Sequence, residues 1–484
     1  MSSNARYETV IGLEAHVQLA TASKAFCGDR NDFGGAPNTR LSVVSLGYPG
    51  TLPRLNETQL EYAVRLGLAL GCEINRESSF DRKNYFYADL PKGYQITQDR
   101  APICLGGHLP LRLKDGSTKD VRIHHVHMEE DAGKSIHPEA AKGYSYVDLN
   151  RAGTPLLEIV TEPDLRSPEE VEAFMGTLRQ LVRYLGISDG NMQEGSLRCD
   201  VNISVRPEGS EVYGTRCEVK NMNSMKFAAK AVAYEVKRQI ALIESGGQVR
   251  QQTLQFDPVK GTTTPLRDKE DAHDYRYFPE PDLPPLRLDE DYIDKVRVNS
   301  NQLPWEVYAE LTEVHNLPDY DAEILSQDYQ QFVLFKSFLS VSPDKKGLSN
   351  IFINKILPYL TESNTLPSDF QLSPQQMAEL QQLVLDGQVN ASAASGKLLS
   401  HLLGQPNVDV KEAANQLGLI QNSDENFLAG LVDDVITANP DKVAAYRKGK
   451  KGLIGFFMGE VMRASKGSAE PKETQLLLRK ALEE

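Results

Sequence analysis

The sequence predicts an α+β protein. An N-terminal domain built around an antiparallel β-sheet with flanking helices precedes an all-α helical domain and a small helical tail domain. Strand-like alternation mixes with a few helices before about residue 285, and helical spacing of apolar residues dominates after it. A proline-rich segment at residues 278–285 separates the two patterns, because prolines this dense fit neither a helix interior nor a central strand. We therefore predict domains at residues 1–295, 296–406 and 407–484.

Three segments of the N-terminal domain alternate strictly, at residues 11–19, 197–205 and 215–220. Their even positions carry charged or hydrogen-bonding side chains such as His16 and Asp200. Side chains two apart share a strand face, so each strand buries one face and presents a polar one. An ordinary solvated face is the competing interpretation for any one strand. Three such strands bearing histidine and carboxylates favour an active cleft.

Helices of this domain have clear end signals. Segment 167–170 offers a serine N-cap, proline at the first helical position and glutamate at the third, and Gly186 ends the apolar spacing that follows. Segment 56–59 forms a second capping-box pattern. A third helix is predicted over residues 224–244, before Gly246.

Bulk properties restrict the class of protein. The 484 residues include only five scattered cysteines without a CxxC pair, which argues against a disulfide scaffold and fits a reducing cytoplasm. The N-terminus lacks a signal-peptide pattern, and no apolar run is long enough to span a membrane, so we expect a cytoplasmic protein. The net charge of −14 disfavours indiscriminate nucleic-acid binding but permits a local basic patch.

The C-terminal end is such a patch. Lys448, Lys450, Lys451 and Lys466 lie among glycines that let a backbone approach phosphates closely. A solubilising lysine face is the competing interpretation.

A carboxylate and an imidazole, Glu14 and His16, lie two residues apart on the first predicted strand, within reach of one ion. This donor set suits Mg²⁺ or Mn²⁺, and Zn²⁺ stays open. Glu158 lies among apolar neighbours, where a buried carboxylate needs a partner or an ion, although a polar strand face also explains it.

Three consecutive acids at residues 129–131 indicate a neutralising cation or, alternatively, an exposed acidic turn. The following Gly133-Lys134 pair is not a P-loop, because Met128 stands where the motif needs glycine. Lys134 can still meet a phosphate as a point charge.

Taken together, these segments resemble the GatB/YqeY family, the B subunits of a three-subunit tRNA-dependent amidotransferase. Matching stretches follow one another in order over nearly the whole chain, at residues 7–16, 80–87, 127–134, 148–155, 194–200, 274–282 and 459–467. The resemblance implies a cradle-shaped N-terminal domain and a tail domain that binds the tRNA body. It implies a heterotrimer with an amidase A subunit and a small C subunit.

The same resemblance implies an activity. The B subunit uses ATP and Mg²⁺ to phosphorylate the side-chain carboxylate of Glu-tRNA(Gln) or Asp-tRNA(Asn), and ammonia arriving through an internal tunnel displaces the phosphate. Which of the two tRNAs is the substrate stays open. A non-catalytic tRNA-binding scaffold of the same complex is the alternative, and a free-standing metal-dependent enzyme with a small substrate is a third.

Site residues follow from the resemblance as expectations. The implied metal ligands are Glu14, His16, Glu130 and Glu158, and we assign catalytic roles to Glu130 and Asp200. Lys83 falls in the segment associated with the tunnel entrance. We add Lys134, Arg198 and Asn202 as candidate phosphate contacts, and Lys448, Lys450, Lys451 and Lys466 as tRNA contacts. We expect no structural zinc, because only Cys27 remains of a four-cysteine set, with Ser42 and Ser45 at cysteine positions.

Overall fold

The computed structural model describes residues 6–137, 143–268, 275–421, 425–465 and 469–483. The chain divides into two compact units, Met1–Glu306 and Val307–Glu484. Strands lie in the first unit, and the described part of the second unit is helical, so the predicted α+β class is confirmed. The division into three domains stays a prediction. Across the described ranges, no helix is both long enough and apolar enough to cross a membrane.

The described strands of the first unit number seventeen. They are β1 (Tyr7–Gln18), β2 (Glu73–Ile74), β3 (Glu77–Ser78), β4 (Asp81–Asn84), β5 (Tyr94–Thr97), β6 (Cys104–Leu105), β7 (His108–Arg112), β8 (Thr118–Glu130), β9 (Lys134–Ile136), β10 (Tyr146–Asp148), β11 (Pro155–Thr161), β12 (Leu197–Pro207), β13 (Cys217–Met222), β14 (Gln252–Asp257), β15 (Thr262–Asp268), β16 (Phe278–Pro279) and β17 (Leu286–Arg287).

The described α-helices follow the same chain order. They are α1 (Glu57–Ala69), α2 (Pro168–Tyr184), α3 (Met225–Glu244), α4 (Glu290–Val298), α5 (Pro304–Ala309), α6 (Asp319–Leu325), α7 (Tyr329–Leu339), α8 (Lys345–Ile351), α9 (Leu357–Glu362), α10 (Pro374–Leu385), α11 (Ala391–Ala393), α12 (Leu399–Gly404), α13 (Val410–Gln416), α14 (Glu425–Thr437), α15 (Pro440–Arg447), α16 (Ile454–Ala464) and α17 (Pro471–Glu483).

A ten-stranded sheet forms the centre of the first unit. Its strand order is β15-β14-β13-β12-β1-β11-β8-β6-β2, with β7 paired to β8. The pairs are antiparallel except β13 with β14, which is parallel. Strand β1 lies between β12 and β11, and its apolar residues alternate with partly exposed polar ones as the sequence predicts. The predicted strands at residues 11–19, 197–205 and 215–220 correspond to β1, β12 and β13.

Helices α1, α2 and α3 pack on the apolar face of this sheet. Helix α2 begins as predicted, since Ser167 Oγ accepts a hydrogen bond from the Glu170 backbone N–H at 3.1 Å. Asn56 caps α1 in the same manner, accepting from the Thr58 N–H at 2.9 Å. Because helices cover one face, the other face of the central strands stays open and carries the polar side chains.

The second unit contains its own apolar clusters. One of them joins α14, α16 and α17 through residues such as Leu428, Phe457 and Leu478, all fully buried. Helix α13 belongs instead with the preceding helices, because it packs against α10 and α12. The apolar cluster at the end of the chain is therefore formed by α14 to α17.

A buried carboxylate ties α3 to β15. Glu235 accepts hydrogen bonds from Arg238 at 2.6 and 2.9 Å, from Gln239 Nε2 at 3.0 Å and from Thr263 Oγ1 at 2.9 Å. Burial raises the pKa of the Glu235 carboxyl, but these hydrogen bonds outweigh burial and hold the pKa below its usual value. Its contribution to stability is therefore present at neutral pH and is lost as the pH falls through the folded-state pKa.

Replacing Glu235 by alanine should lower the free energy of unfolding by about 2–3 kcal/mol, somewhat less than for a fully buried pair because Arg238 keeps partial access to water. Urea denaturation of the variant measures this loss. The exposed Glu244, at the end of the same helix, provides the control. Glu244→Ala should change stability by less than about 0.5 kcal/mol. Equal losses in both variants would contradict the assigned network.

Candidate functional site

A row of polar side chains crosses the open face of four adjacent strands. His127 on β8 lies opposite Glu158 on β11, Glu158 lies opposite His16 on β1, and His16 lies opposite Arg198 on β12. Directly opposed side chains in antiparallel strands lie about 4.5–5.5 Å apart at their Cβ atoms. The sheet register therefore brings together residues that are far apart in the sequence.

The centre of this row is a candidate metal site. His16 Nε2 lies 3.2 Å from Glu158 Oε2 and 3.8 Å from Glu129 Oε1. The ligand atoms of His16, Glu129 and Glu158 all lie within 4.8 Å of one another. One imidazole and two carboxylates form a donor set that suits a divalent cation such as Mg²⁺ or Mn²⁺.

His127 also takes part in this group, with its Nε2 3.4 Å from Glu158 Oε2. Burial lowers the pKa of both histidines, but the carboxylates, Glu158 foremost, outweigh burial and raise the pKa to about 9 for His16 and to about 10 for His127. Burial raises the pKa of Glu158, and the two histidines overcome it and hold that pKa well below its usual value. The two imidazoles and Glu158 therefore stabilise one another's charged forms.

Glu130, a predicted ligand, is not brought into this group by its described contacts. It follows Glu129 on β8, so its side chain points to the opposite face of the sheet. There it forms an ion pair with Lys92 and accepts a hydrogen bond from the Ile96 backbone N–H at 3.0 Å. Glu129, which shares a strand face with His127, is the acid of this run that lies with His16 and Glu158.

The third consecutive acid, Asp131, has separate partners. Its Oδ2 accepts hydrogen bonds from Arg198 Nη2 at 2.8 Å and from Gln18 Nε2 at 2.9 Å, and Arg151 Nε lies 3.6 Å away. All three acids are buried, with at most 6% of any residue exposed. The alternative of an exposed acidic turn is therefore wrong, and protein cations neutralise much of the acidic run.

A second carboxylate group lies on the same face, on strands β1, β12 and β13. It consists of Glu14, Asp200 and Glu218, with ligand atoms within 4.8 Å of one another. Lys220 Nζ lies 2.7 Å from Asp200 Oδ2 and 2.5 Å from Glu218 Oε1, and Asn202 Nδ2 donates to Glu14 Oε1 at 2.9 Å. Glu14, a predicted ligand, thus lies in this second group, although burial and then the charge of Glu158 in the first set raise its pKa. Its role as a metal ligand stays a prediction.

Lys83 lies on β4 with its Nζ 5.0 Å from the centre of the Tyr275 ring. Burial lowers the pKa of Lys83, but Glu129 and, more weakly, Glu158 help raise it above its usual value. Lys83 is therefore electrostatically coupled to the candidate metal site. This placement agrees with a residue near that site, and its role at a tunnel entrance stays a prediction.

Lys134 is not brought to this site by any of its described contacts. It begins β9, which pairs only with β10 in a separate two-stranded sheet, and its side chain is exposed.

In the tail, Lys448, Lys450 and Lys451 are all exposed between α15 and α16. Lys466 lies outside the described residues.

Cys27 lies in a hydrogen-bonded cluster. Its Sγ is 3.3 Å from both Asp29 Oδ2 and Ser45 Oγ, and the Ser42 backbone N–H donates to the same Asp29 oxygen at 2.9 Å. Cys27, Ser42 and Ser45 are therefore neighbours in space, as the resemblance of this segment to a four-cysteine set implied. The expected lack of a structural zinc stays a prediction.

Four site residues were missed in the sequence, namely Glu129, His127, Glu218 and Lys220. Glu218 and Lys220 occupy even positions of the strand at residues 215–220, so strand alternation was a usable signal for them. His127 and Glu129 share a face only once β8 is known to run through to Glu130. The three consecutive acids were interpreted as a cation-binding cluster or an exposed turn, so a strand through them was not predicted.

Replacing Glu129 by glutamine should weaken Mn²⁺ binding by about 100-fold or more, since even outer-shell partners of a metal contribute about 10–100-fold. Glu130→Gln, on the opposite face, should leave the affinity nearly unchanged. Isothermal titration of the full-length variants with Mn²⁺ measures both. A larger loss in Glu130→Gln than in Glu129→Gln would restore the ligand set predicted from the sequence.

Comparison with known proteins adds an independent finding. The family model described as "GatB/GatE catalytic domain" matches residues 9–294, and the one described as "GatB domain" matches residues 333–482. Several curated relatives are named as the B subunit of an aspartyl/glutamyl-tRNA(Asn/Gln) amidotransferase. The protein from Salinibacter ruber is 46% identical over 99% of this chain and 97% of its own length. The protein from Halorhodospira halophila is 47% identical over 99% of each chain.

Proposed function

The chain belongs to the GatB family of amidotransferase B subunits, and on this premise we propose that it catalyses the ATP-dependent amidation of Glu-tRNA(Gln), Asp-tRNA(Asn) or both. The set of His16, Glu129 and Glu158 on the open face carries this proposal. A scaffold that only positions tRNA has no need of a buried group with this donor chemistry. We propose that the protein works in the cytoplasm, where aminoacyl-tRNAs are used.

The proposed chemistry has two steps. A carboxylate does not react with ammonia at useful rates, because oxide is a poor leaving group. An oxygen of the tRNA-bound side-chain carboxylate therefore attacks the γ-phosphorus of ATP, and ADP leaves. Ammonia then attacks the carbonyl carbon of the acyl phosphate, inorganic phosphate leaves with the original carboxylate oxygen, and the proton lost from nitrogen goes to that phosphate.

His16, Glu129 and Glu158 are the residues that would hold Mg²⁺. When bound, this ion neutralises charge on the transferred phosphoryl group. The chain itself supplies position and further charge, because phosphoryl transfer between bound groups needs no protein nucleophile. A site made of carboxylates, imidazoles and cations, without a nucleophile, meets these needs.

Arg198 and Asn202 are the proposed phosphate contacts within this site. Arg198 is held by Asp131 beside His16, which restricts the guanidinium before any ligand arrives. Asn202 is held against Glu14 by the hydrogen bond of its amide. Asp200, a proposed catalytic residue, lies opposite Glu14 and orients the charged group around it. Such prior positioning is what lets electrostatic groups lower a barrier without reorganisation.

The proposed complex is a heterotrimer with an amidase A subunit and a C subunit. The A subunit would release ammonia from glutamine, and a channel would lead it past Lys83 to the reacting centre. The coupling of Lys83 to Glu129 supports this position for the end of the channel. The exposed lysines between α15 and α16 would contact the phosphates of the tRNA body.

Ammonia-dependent turnover tests this proposal against the scaffold alternative. The complex with candidate A and C subunits receives mischarged tRNA, ATP and Mg²⁺, with ammonium chloride supplied and glutamine omitted. Formation of Gln-tRNA(Gln) or Asn-tRNA(Asn), only when ATP is present, is the expected result. If neither product forms and mischarged tRNA does not stimulate ATP hydrolysis, the chain is a scaffold.

A further inference from the structure

The second carboxylate group poses a charge problem that the His16 site does not explain. Glu14, Asp200 and Glu218 converge from three adjacent strands, and Asp200 and Glu218 are buried. Three carboxylates this close repel one another unless a cation lies among them. In many phosphoryl-transfer sites that cation is a second divalent metal, about 3.5–4 Å from the first.

Here the chain itself supplies a cation. Lys220 reaches Asp200 at 2.7 Å and Glu218 at 2.5 Å. Strand alternation explains why it does so, because Lys220 follows Glu218 by two residues on β13 and shares its face. The third carboxylate, Glu14, accepts from the neutral amide of Asn202 at 2.9 Å. Each member of the group thus has a partner from β12 or β13.

The two groups differ in the kind of partner that neutralises them. In the set around His16, the groups beside Glu158 are the imidazole rings of His16 and His127, and an imidazole ring nitrogen is itself a common ligand of divalent metals. The second group is neutralised by an ammonium, which has three donors and no lone pair to offer a metal. A metal entering the first group gains a ligand, whereas a metal entering the second must expel Lys220.

We propose that Lys220 takes the place of a second divalent cation, so that the open face binds one metal at His16, Glu129 and Glu158. Lys220 is then a positioning residue, which holds Asp200 and Glu218 and keeps a fixed positive charge beside the metal. The role of Lys220 in phosphoryl transfer rests on the proposed function. The number of bound metal ions does not depend on that function, because it is measured without ATP or tRNA.

Counting bound Mn²⁺ on the full-length chain by electron paramagnetic resonance tests this proposal. The wild-type protein should bind one Mn²⁺, and Lys220→Met should bind two, because three carboxylates lose their cation. Lys220→Arg should restore a count of one. A merely structural lysine would not change the number of bound ions.

Lys119 offers a matched control elsewhere in the sheet. It also lies on a strand and pairs with a carboxylate, Glu170, at 2.6 Å. Its side chain and that of Glu170 are 27% and 13% exposed, against 29% and 12% for Lys220 and Asp200. Lys119→Met should therefore cost similar stability and leave the count at one.

Two results would overturn the proposal. One is a count of two for the wild-type protein, and the other is a count of one for folded Lys220→Met. If Lys220→Met does not fold, His16→Ala decides the question, because it should bind no Mn²⁺ while Lys220 is present. Retention of one Mn²⁺ in His16→Ala would show that Lys220 does not exclude a metal. If the counts are as expected but the wild-type complex forms no amidated tRNA, the proposed function alone is contradicted.

Discussion

Replacing Glu158 by glutamine is expected to lower the rate of ATP-dependent amidation by at least about a hundredfold. Glu158 is the carboxylate shared by His16 and His127, at 3.2 and 3.4 Å. A metal ion held there would contribute several kcal/mol of transition-state stabilisation, and each 1.36 kcal/mol corresponds to about a tenfold change in rate. Initial rates of the reconstituted complex at saturating mischarged tRNA measure this loss.

Glu172→Gln is the control for Glu158→Gln. Glu172 lies on α2, away from the open face, and its carboxylate is 3.6 Å from Lys114 Nζ. The control should keep the full rate, and both variants should bind tRNA as the wild type does. A normal rate in Glu158→Gln, or a parallel loss of tRNA affinity, would contradict the assignment of Glu158 to the reacting centre.

Removing three tail lysines is expected to weaken tRNA binding by about 10- to 100-fold. The slope of log affinity against log salt concentration should become shallower by about three, or about one for each lost phosphate contact. Lys448 directly follows the last residue of α15, and Lys450 and Lys451 come shortly after it, all exposed. Gly449 between them has φ +106°, a conformation that favours glycine, and Lys451 Nζ lies 4.3 Å from the Tyr446 ring centre. The triple alanine variant is measured by filter binding over a range of salt concentrations.

The control for this variant removes the same charge from α17. Lys472, Arg479 and Lys480 are exposed on that helix. Their triple alanine variant should bind tRNA with nearly the wild-type salt dependence. An equal effect of both triple variants would mean that the tail attracts tRNA by overall charge, without a defined contact at Lys448, Lys450 and Lys451.

Strand alternation was enough to predict the open polar face. The odd and even positions of β1 and β12 decided which side chains lie on the core side, and the structure agrees. Helix signals were equally local, as Ser167 and Asn56 show. These features depend on a few neighbouring residues, so the sequence alone determines them.

Strand alternation could not predict which polar side chains of this face lie together. Glu14 and His16 share a strand face, yet the first faces Asp200 and the second faces Glu158. Which residues meet depends on the register of β1 with its two neighbours. Register shifts in the pairings of β11 with β8 and of β12 with β13 further change which side chains are neighbours across the strands. Nothing local in the sequence reports those shifts.

The ionic partners of the three consecutive acids could not be predicted from the sequence either. Glu129, Glu130 and Asp131 were treated as one cluster, but they point toward three different groups of residues. The partners Lys92 and Arg198 are 38 and 67 residues away from Glu130 and Asp131, respectively. Only the folded chain shows that most of this charge is already neutralised. The position of Lys220 among its carboxylates likewise depends on long-range pairing.

Oxygen transfer from the substrate to phosphate tests the central claim most directly. Mischarged tRNA whose side-chain carboxylate carries ¹⁸O is amidated by the complex with ATP and ammonium chloride, and the released inorganic phosphate is analysed by mass spectrometry. If the carboxylate is activated as an acyl phosphate, each amide formed leaves one ¹⁸O from the carboxylate in phosphate. Amide formation with phosphate that contains no ¹⁸O would contradict carboxylate phosphorylation by this protein.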